Sequence, residues 1–212
     1  MKLKEKNKDW IVIFSSLIMI LLGISIIGGK YLYQYISKLE NDIKIEEYFD
    51  DPIVETDDRN IVEEDNTAKV QKTETNNEKY IAVLEIPKIN LKRGIYAKNS
   101  KLNNVNKNIY LLKESSMPDE EKGNFILAGH SGTSYISYFK NLPKLSIGDI
   151  SYVYYNGGRF QYKLVNSYEI NKNGKANIIR NKEKTVMTLI TCKHNTEKQI
   201  VYIFEFMEDS EV

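Results

Sequence analysis

Two residues in this chain have the side chains that acyl-transfer chemistry needs. Cys192 is the sole cysteine among 212 residues, and a cysteine thiolate can attack an acyl carbon. His130 has an imidazole, the side chain best suited to taking up and releasing protons near neutral pH. Their surroundings are alike. Val186-Met-Thr-Leu-Ile-Thr191 is apolar and β-branched, and Lys193-His-Asn-Thr-Glu-Lys198 is polar, so Cys192 falls at the end of a predicted strand. Phe125-Ile-Leu-Ala-Gly-His130 reads as a second strand running into Ser131-Gly-Thr-Ser134, and Gly129 is expected to let the backbone turn sharply. Two strand ends carrying Cys and His can meet at one end of a barrel.

Taken alone, the pair leaves two readings open. A lone cysteine is more often a small buried hydrophobe than a nucleophile. It also excludes an intramolecular disulfide. A metal site would need Cys192, His130 and His194 together, but Cys-x-His is not a common ligand spacing and no carboxylate is placed to complete the set. No metal or cofactor is expected.

The rest of the chain must position these residues. It has 30 basic and 29 acidic side chains, a net charge of +1, which gives no global reason to expect nucleic-acid binding or an acidic substrate. Fifteen tyrosines against one tryptophan suit a strand-rich domain. Lys2, Lys4, Lys6 and Lys8 precede an uncharged apolar run, Trp10 to Gly29. Such a run spans about 30 Å as a helix, the thickness of a bilayer's hydrocarbon core. Basic flanks stay in the cytoplasm, so the remainder is expected outside. A cleavable signal would have a shorter apolar core of about 7–15 residues and a small-residue cleavage site, which Gly28-Gly29-Lys30 matches poorly.

The chain therefore divides into a basic cytoplasmic tail (1–9), a transmembrane anchor (10–29), an acidic flexible stalk (30–79) and an outer domain (80–212). The stalk opens with a membrane-exit helix, Tyr31 to Leu39, and then turns acidic and polar (Glu46, Glu47, Asp50, Asp51, Asp57, Asp58, Glu63, Glu64, Asp65). Without long apolar runs it cannot offset its ordering entropy. From Tyr80 short strand-like runs appear: Tyr80 to Ile86, Phe125 to Ala128, Ile150 to Tyr155, Phe160 to Val165, Val186 to Thr191 and Ile200 to Phe206. Asn156-Gly157-Gly158 predicts a hairpin turn. One helix is predicted from Tyr135, Tyr138, Phe139 and Leu142 at i, i+3, i+4, i+7, stopped by Pro143. The pattern is mainly β, a closed barrel or a sandwich.

Four strings resemble the sortase family, in the family's order and across residues 80 to 206. Thr188-Leu-Ile-Thr-Cys192 looks like its TLxTC signature. Gly123-Asn-Phe-Ile-Leu-Ala-Gly-His130 resembles the segment bearing its histidine. Phe139-x-x-Leu142-x-x-Leu145-x-x-Gly148-Asp149 is similar to the short helix and turn that follow, and Leu84-Glu-Ile-Pro-Lys-Ile89 to the opening strand. Papain-like proteases carry Cys before His, and the caspase signature differs. The resemblance implies an eight-stranded β-barrel with one or two short helices. It also implies a thiol peptidase and transpeptidase in which Cys192 attacks an LPxTG-like C-terminal sorting motif on exported proteins. The resulting thioacyl enzyme is resolved by a cell-wall precursor or pilin amine, with His130 moving the protons. The implied setting is the cell membrane of a Gram-positive-type bacterium.

One family feature is missing. The arginine expected at the start of the strand after the cysteine loop is replaced by Glu197-Lys-Gln-Ile-Val-Tyr202, and no arginine follows Cys192. Gln199 stands nearest that position and Lys198 one residue earlier. Gln199 offers a neutral donor to an oxyanion, and Lys198 a point charge without the guanidinium fork. The alternative is a weak or inactive relative that holds sorting motifs as a binding module. Asp51-Pro52 is similar to the lid motif of pilin-building members, with Ile53 where an aromatic usually follows.

Overall fold

The computed structural model describes residues 2–50, 79–174 and 176–208. The expected stalk beyond Asp50, with its Asp51-Pro52, lies outside the described residues. The chain divides into two units, Met1–Asp42 and Ile43–Val212.

The first unit is helical. Helix α1 runs Lys2–Asp50 and passes into the second unit in its last turns. The apolar side chains of Trp10 and of Val12 to Ile27 stand exposed, among them Met19 and Ile26 at 77% and 76%. A helical stretch that is apolar all round and exposed among the described residues suits a hydrocarbon surround. The serines within it bond back to their own helix: Ser15 Oγ to the Val12 carbonyl at 3.0 Å, Ser16 to Ile13 at 2.8 Å and Ser25 to Leu21 at 2.9 Å. Their hydroxyls therefore need no solvent partner.

In the second unit, α1 continues beyond the exit helix expected to end near Leu39. The reason is packing. Ile45 is buried with Tyr80, Val83 and Tyr96, and Tyr48 and Tyr154 pack at the edge of this cluster. Lys44 Nζ reaches the Tyr96 hydroxyl at 3.1 Å, and the Phe49 and Tyr154 rings meet edge-on at 5.2 Å. The sequence between Glu40 and Asp50 holds enough apolar residues on one helical face to dock, although its acidic side chains give it the composition of a solvated stalk.

Eight strands form a single sheet: β1 Tyr80–Ile86, β2 Leu91–Tyr96, β3 Tyr110–Leu111, β4 Asn124–Ala128, β5 Ile150–Tyr155, β6 Gly158–Asn171, β7 Val186–Cys192 and β8 Lys198–Phe206. Their order is β2-β1-β5-β6-β8-β7-β4-β3. The sheet nearly closes on itself where Asn108, from the segment before β3, donates to the Gly94 carbonyl on β2 at 2.8 Å and accepts from Arg93 Nε at 2.6 Å. Asn103 acts as a stand-in strand, accepting from the Leu111 N–H at 2.7 Å and donating to its carbonyl at 2.9 Å.

Alternate residues fill the barrel: Leu84, Ile95, Phe125, Leu127, Val153, Tyr162, Leu164, Met187, Leu189, Tyr202 and Phe204. Their neighbours on β4, β7 and β8 (Ile126, Val186, Ile190, Val201, Ile203) form a second cluster on the outer face. That patch is buried on both sides, so its strands read as continuous apolar runs rather than alternating ones. The hairpin forms as predicted. Asn156 (φ 47°) and Gly157 (φ 72°) are both left-handed, and Tyr155 pairs with Gly158.

The helix predicted over 135–142 does not form. Phe139 gives its N–H to the His130 carbonyl (3.0 Å) instead of to the preceding helical turn, and three-residue turns fill the segment around a 3-10 turn, Leu142–Lys144. The spacing still identified side chains that bury: Phe139 and Leu142 are fully enclosed, while Tyr135 is exposed.

Candidate active site

β4 and β7 are parallel neighbours, with Asn124 opposite Val186 and so on to Ala128 opposite Ile190. Gly129 N–H continues the ladder to the Ile190 carbonyl at 3.1 Å. The pairing stops there, so His130 and Cys192 each follow two residues behind the last paired positions, at the ends of adjacent strands. Cys192 and His130 are both partly exposed rather than packed away. In the alternation of β7, Cys192 shares the outer face with Val186 and Ile190.

The TLxTC threonines have structural work in this arrangement. Thr188 Oγ1 bonds Asn124 Oδ1 at 2.8 Å and is fully buried, joining the middle of β7 to β4. Thr191 Oγ1 donates to the Gly129 carbonyl at 2.7 Å. Ser131 Oγ donates to the carbonyl of Cys192. Gly129, expected to let the backbone turn sharply, does not use the left-handed region open to glycine, since its φ is not positive. It is small for another reason: a Cβ there would stand 2.8 Å from the Phe139 ring, which packs directly against the backbone behind His130.

The two residues considered for the arginine position separate. Gln199 is the cross-strand partner of Cys192, and directly opposed residues in an antiparallel pair project to the same face. Lys198 pairs with Asn171, and its ammonium lies 3.0 Å from Glu169 Oε2. Lys193 bonds the same carboxylate. These two lysines hold Glu169 below the usual carboxylate range, through their hydrogen bonds first. Gln199 is thus brought beside the thiol, and Lys198 is engaged elsewhere.

Sequence reasoning missed Asn106. Its Oδ1 lies 3.2 Å from His130 Nε2, and the Asn104 side chain holds the Asn106 N–H at 2.9 Å. The available signal was the density of asparagine in Asn103-Asn-Val-Asn-Lys-Asn108, a composition that favours side-chain-to-backbone turns.

Comparison with known proteins agrees with this geometry. The family described as "Sortase domain" matches residues 84–204. The chain is 25% identical over 202 residues to Sortase A of Bacillus anthracis, covering 92% of this chain and 94% of that protein. It is 31% identical over 110 residues to Sortase D of Bacillus subtilis, covering 52% of each. Among solved structures, the Sortase D5 transpeptidase of Clostridium perfringens superposes with a TM-score of 0.54 and 26% identity, over 62% of this chain and 81% of that one. The sortase C of Clostridium perfringens, solved with the C-terminal cell wall sorting motif, gives a TM-score of 0.53 at 23% identity, over 61% and 71%. The chain belongs to the sortase family, a family of cysteine transpeptidases built on this nearly closed eight-stranded barrel.

Proposed function

We propose that this chain is an active sortase. Cys192 attacks the backbone carbonyl of a C-terminal sorting motif on an exported protein, forming the C–S bond of a thioester as the peptide C–N bond breaks. His130 gives its proton to the departing amine. It then takes a proton from an incoming amine, from a cell-wall precursor or a pilin side chain, whose nitrogen displaces the thiolate. A thioester is more reactive toward amines than the amide it replaces, so the exchange proceeds without an external energy source. Gln199 donates a neutral hydrogen bond to the oxyanion that develops in each half-reaction.

The observation that supports this reading is the position of β7 between its neighbours: its parallel pairing with β4 ends at Ala128 and Ile190, two residues short of His130 and Cys192, and Cys192 itself pairs with Gln199 on β8. Substrate class follows the relative solved with a sorting motif. Helix α1 supports a single-pass anchor: it is long and apolar enough to cross a membrane. Lysines at its start favour an inside N-terminus and an outside barrel, where exported substrates emerge.

The test is mass spectrometry of the full chain in detergent after incubation with sorting-motif peptides. A thioacyl adduct on Cys192 that disappears on adding an amine is expected. Peptide binding without an adduct, across a broad motif panel, would replace this reading with that of a binding module.

A further inference from the structure

The backbone ladder between β4 and β7 ends just before the two reactive residues, and hydroxyl groups carry the pairing past its end. Beyond the Gly129–Ile190 bond, Thr191 Oγ1 on β7 reaches the Gly129 carbonyl. Ser131 Oγ reaches in the opposite direction, to the Cys192 carbonyl. One bond grips the residue before His130 and the other uses the residue after it. On the far strand, the same two bonds grip Thr191 and Cys192.

Cys192 needs this second hold. It is the last residue of β7, and the chain turns at once through Asn195, which is left-handed at φ 55°. On the β8 side the end is tied down, by the pairing with Gln199 and by Lys193 N–H to the Lys198 carbonyl at 2.9 Å. On the β4 side the strand has already finished at Ala128. From this geometry we propose that Ser131 is a positioning residue for the nucleophile: its hydroxyl holds the backbone of Cys192 in line with His130, so that thiol and imidazole stand side by side. The inference rests on the reading of Cys192 as nucleophile. Ser131 bears no charge and does not titrate, so its influence is geometric, and small misplacements of reacting groups cost far more rate than stability.

The experiment compares the full chain in detergent with Ser131→Val and Ser131→Thr, an isosteric pair in which only Thr keeps the hydroxyl. Cys192 is the only thiol, so alkylation by iodoacetamide reports on it alone and is followed as a function of pH. Peptide acyl transfer supplies kcat and KM. For Ser131→Val, the alkylation profile is expected to move along the pH axis and kcat to fall about tenfold, the scale of one lost hydrogen bond, with KM unchanged. Ser131→Thr is expected to restore both. A Val variant whose profile and kcat superimpose on the parent, with any change confined to melting temperature, would overturn the proposal, as would failure of Thr to restore them. If the parent forms no thioacyl adduct yet the Val profile shifts and Thr restores it, the transpeptidase reading falls and the positioning role stands.

Discussion

Cys192 and Gln199 face each other at the loop end of the β7–β8 hairpin, the last pair before the chain turns. The proposed nucleophile and its proposed neutral hydrogen-bond donor are thus held in one register. Lys198, a single residue away, is turned to Glu169.

This separation predicts unequal substitutions. Gln199→Ala is expected to lower kcat by about tenfold to a hundredfold, near the lower end for loss of an oxyanion donor. Gln199→Arg is expected to raise it, because charge-assisted hydrogen bonds are about twice as strong. Lys198→Ala, which breaks an exposed ion pair, should leave turnover within about twofold of the parent. Steady-state kinetics on a sorting-motif peptide separates the three, and equal losses at 198 and 199 would refute the assignment.

Gly129→Ala is expected to cost about 1–3 kcal/mol, the usual range for overpacking. Its Cβ would meet the Phe139 ring at 2.8 Å, and that ring is fully enclosed. A fall in melting temperature, with a larger fall in kcat as the His130 backbone is pushed aside, checks this. An unchanged melting curve would mean that Phe139 moves freely.

Removal of residues 1–79 is expected to destabilise the barrel relative to a chain beginning at Ile43. The shorter piece uncovers Tyr80, Val83 and Tyr96, against which Ile45 is buried to 6% exposure. Losing Ile45 alone costs about 1.5–3 kcal/mol. Urea melts of the two truncations decide the point, and coincident midpoints would show that the helix end contributes nothing.

Alkaline pH should unfold the barrel in a defined window. Burial pushes Tyr202 from the usual 10.0 to about 12, and burial raises Tyr162 and Tyr80 further. The folded state therefore favours the protonated phenol. Its advantage is complete below about pH 10, where both states are protonated, and is lost as pH rises through about 12. Circular dichroism and tyrosinate absorbance are expected to change together across that range. Tyrosinate appearing well before unfolding would contradict it.

The strands that position the site were legible because burial on both faces gave β4 and β7 unbroken apolar runs, and β1 and β5 ended at recognisable turns. β2 was not: Lys92, Arg93 and Gly94 interrupt it, and Gly94 is demanded by the Tyr80 ring rather than by a turn, since a Cβ would lie 1.9 Å from that ring. β3 has two residues, too few to show a period. The apolar run in β6 stops at Val165, whereas the strand continues to Asn171 because the backbone of this more polar half still pairs with β8. The strand ends near His130 and at Cys192 were legible from the apolar runs before them and the polar runs after. Asn106 was not, because its contact with His130 depends on how a turn-rich segment folds back, and no periodicity encodes that.

The β4–β7 ladder is the one parallel pairing among the described strands. Parallel neighbours cannot be joined by a hairpin, and here the connection from Gly129 to Thr185 contains the whole of β5 and β6. A chain made from its N-terminus contains His130 well before Cys192. Contacts so distant in sequence form late in folding. The proposed reactive pair is therefore latent by construction: until β7 docks beside β4, imidazole and thiol stand apart, and the acyl transfer proposed for them waits for a finished barrel.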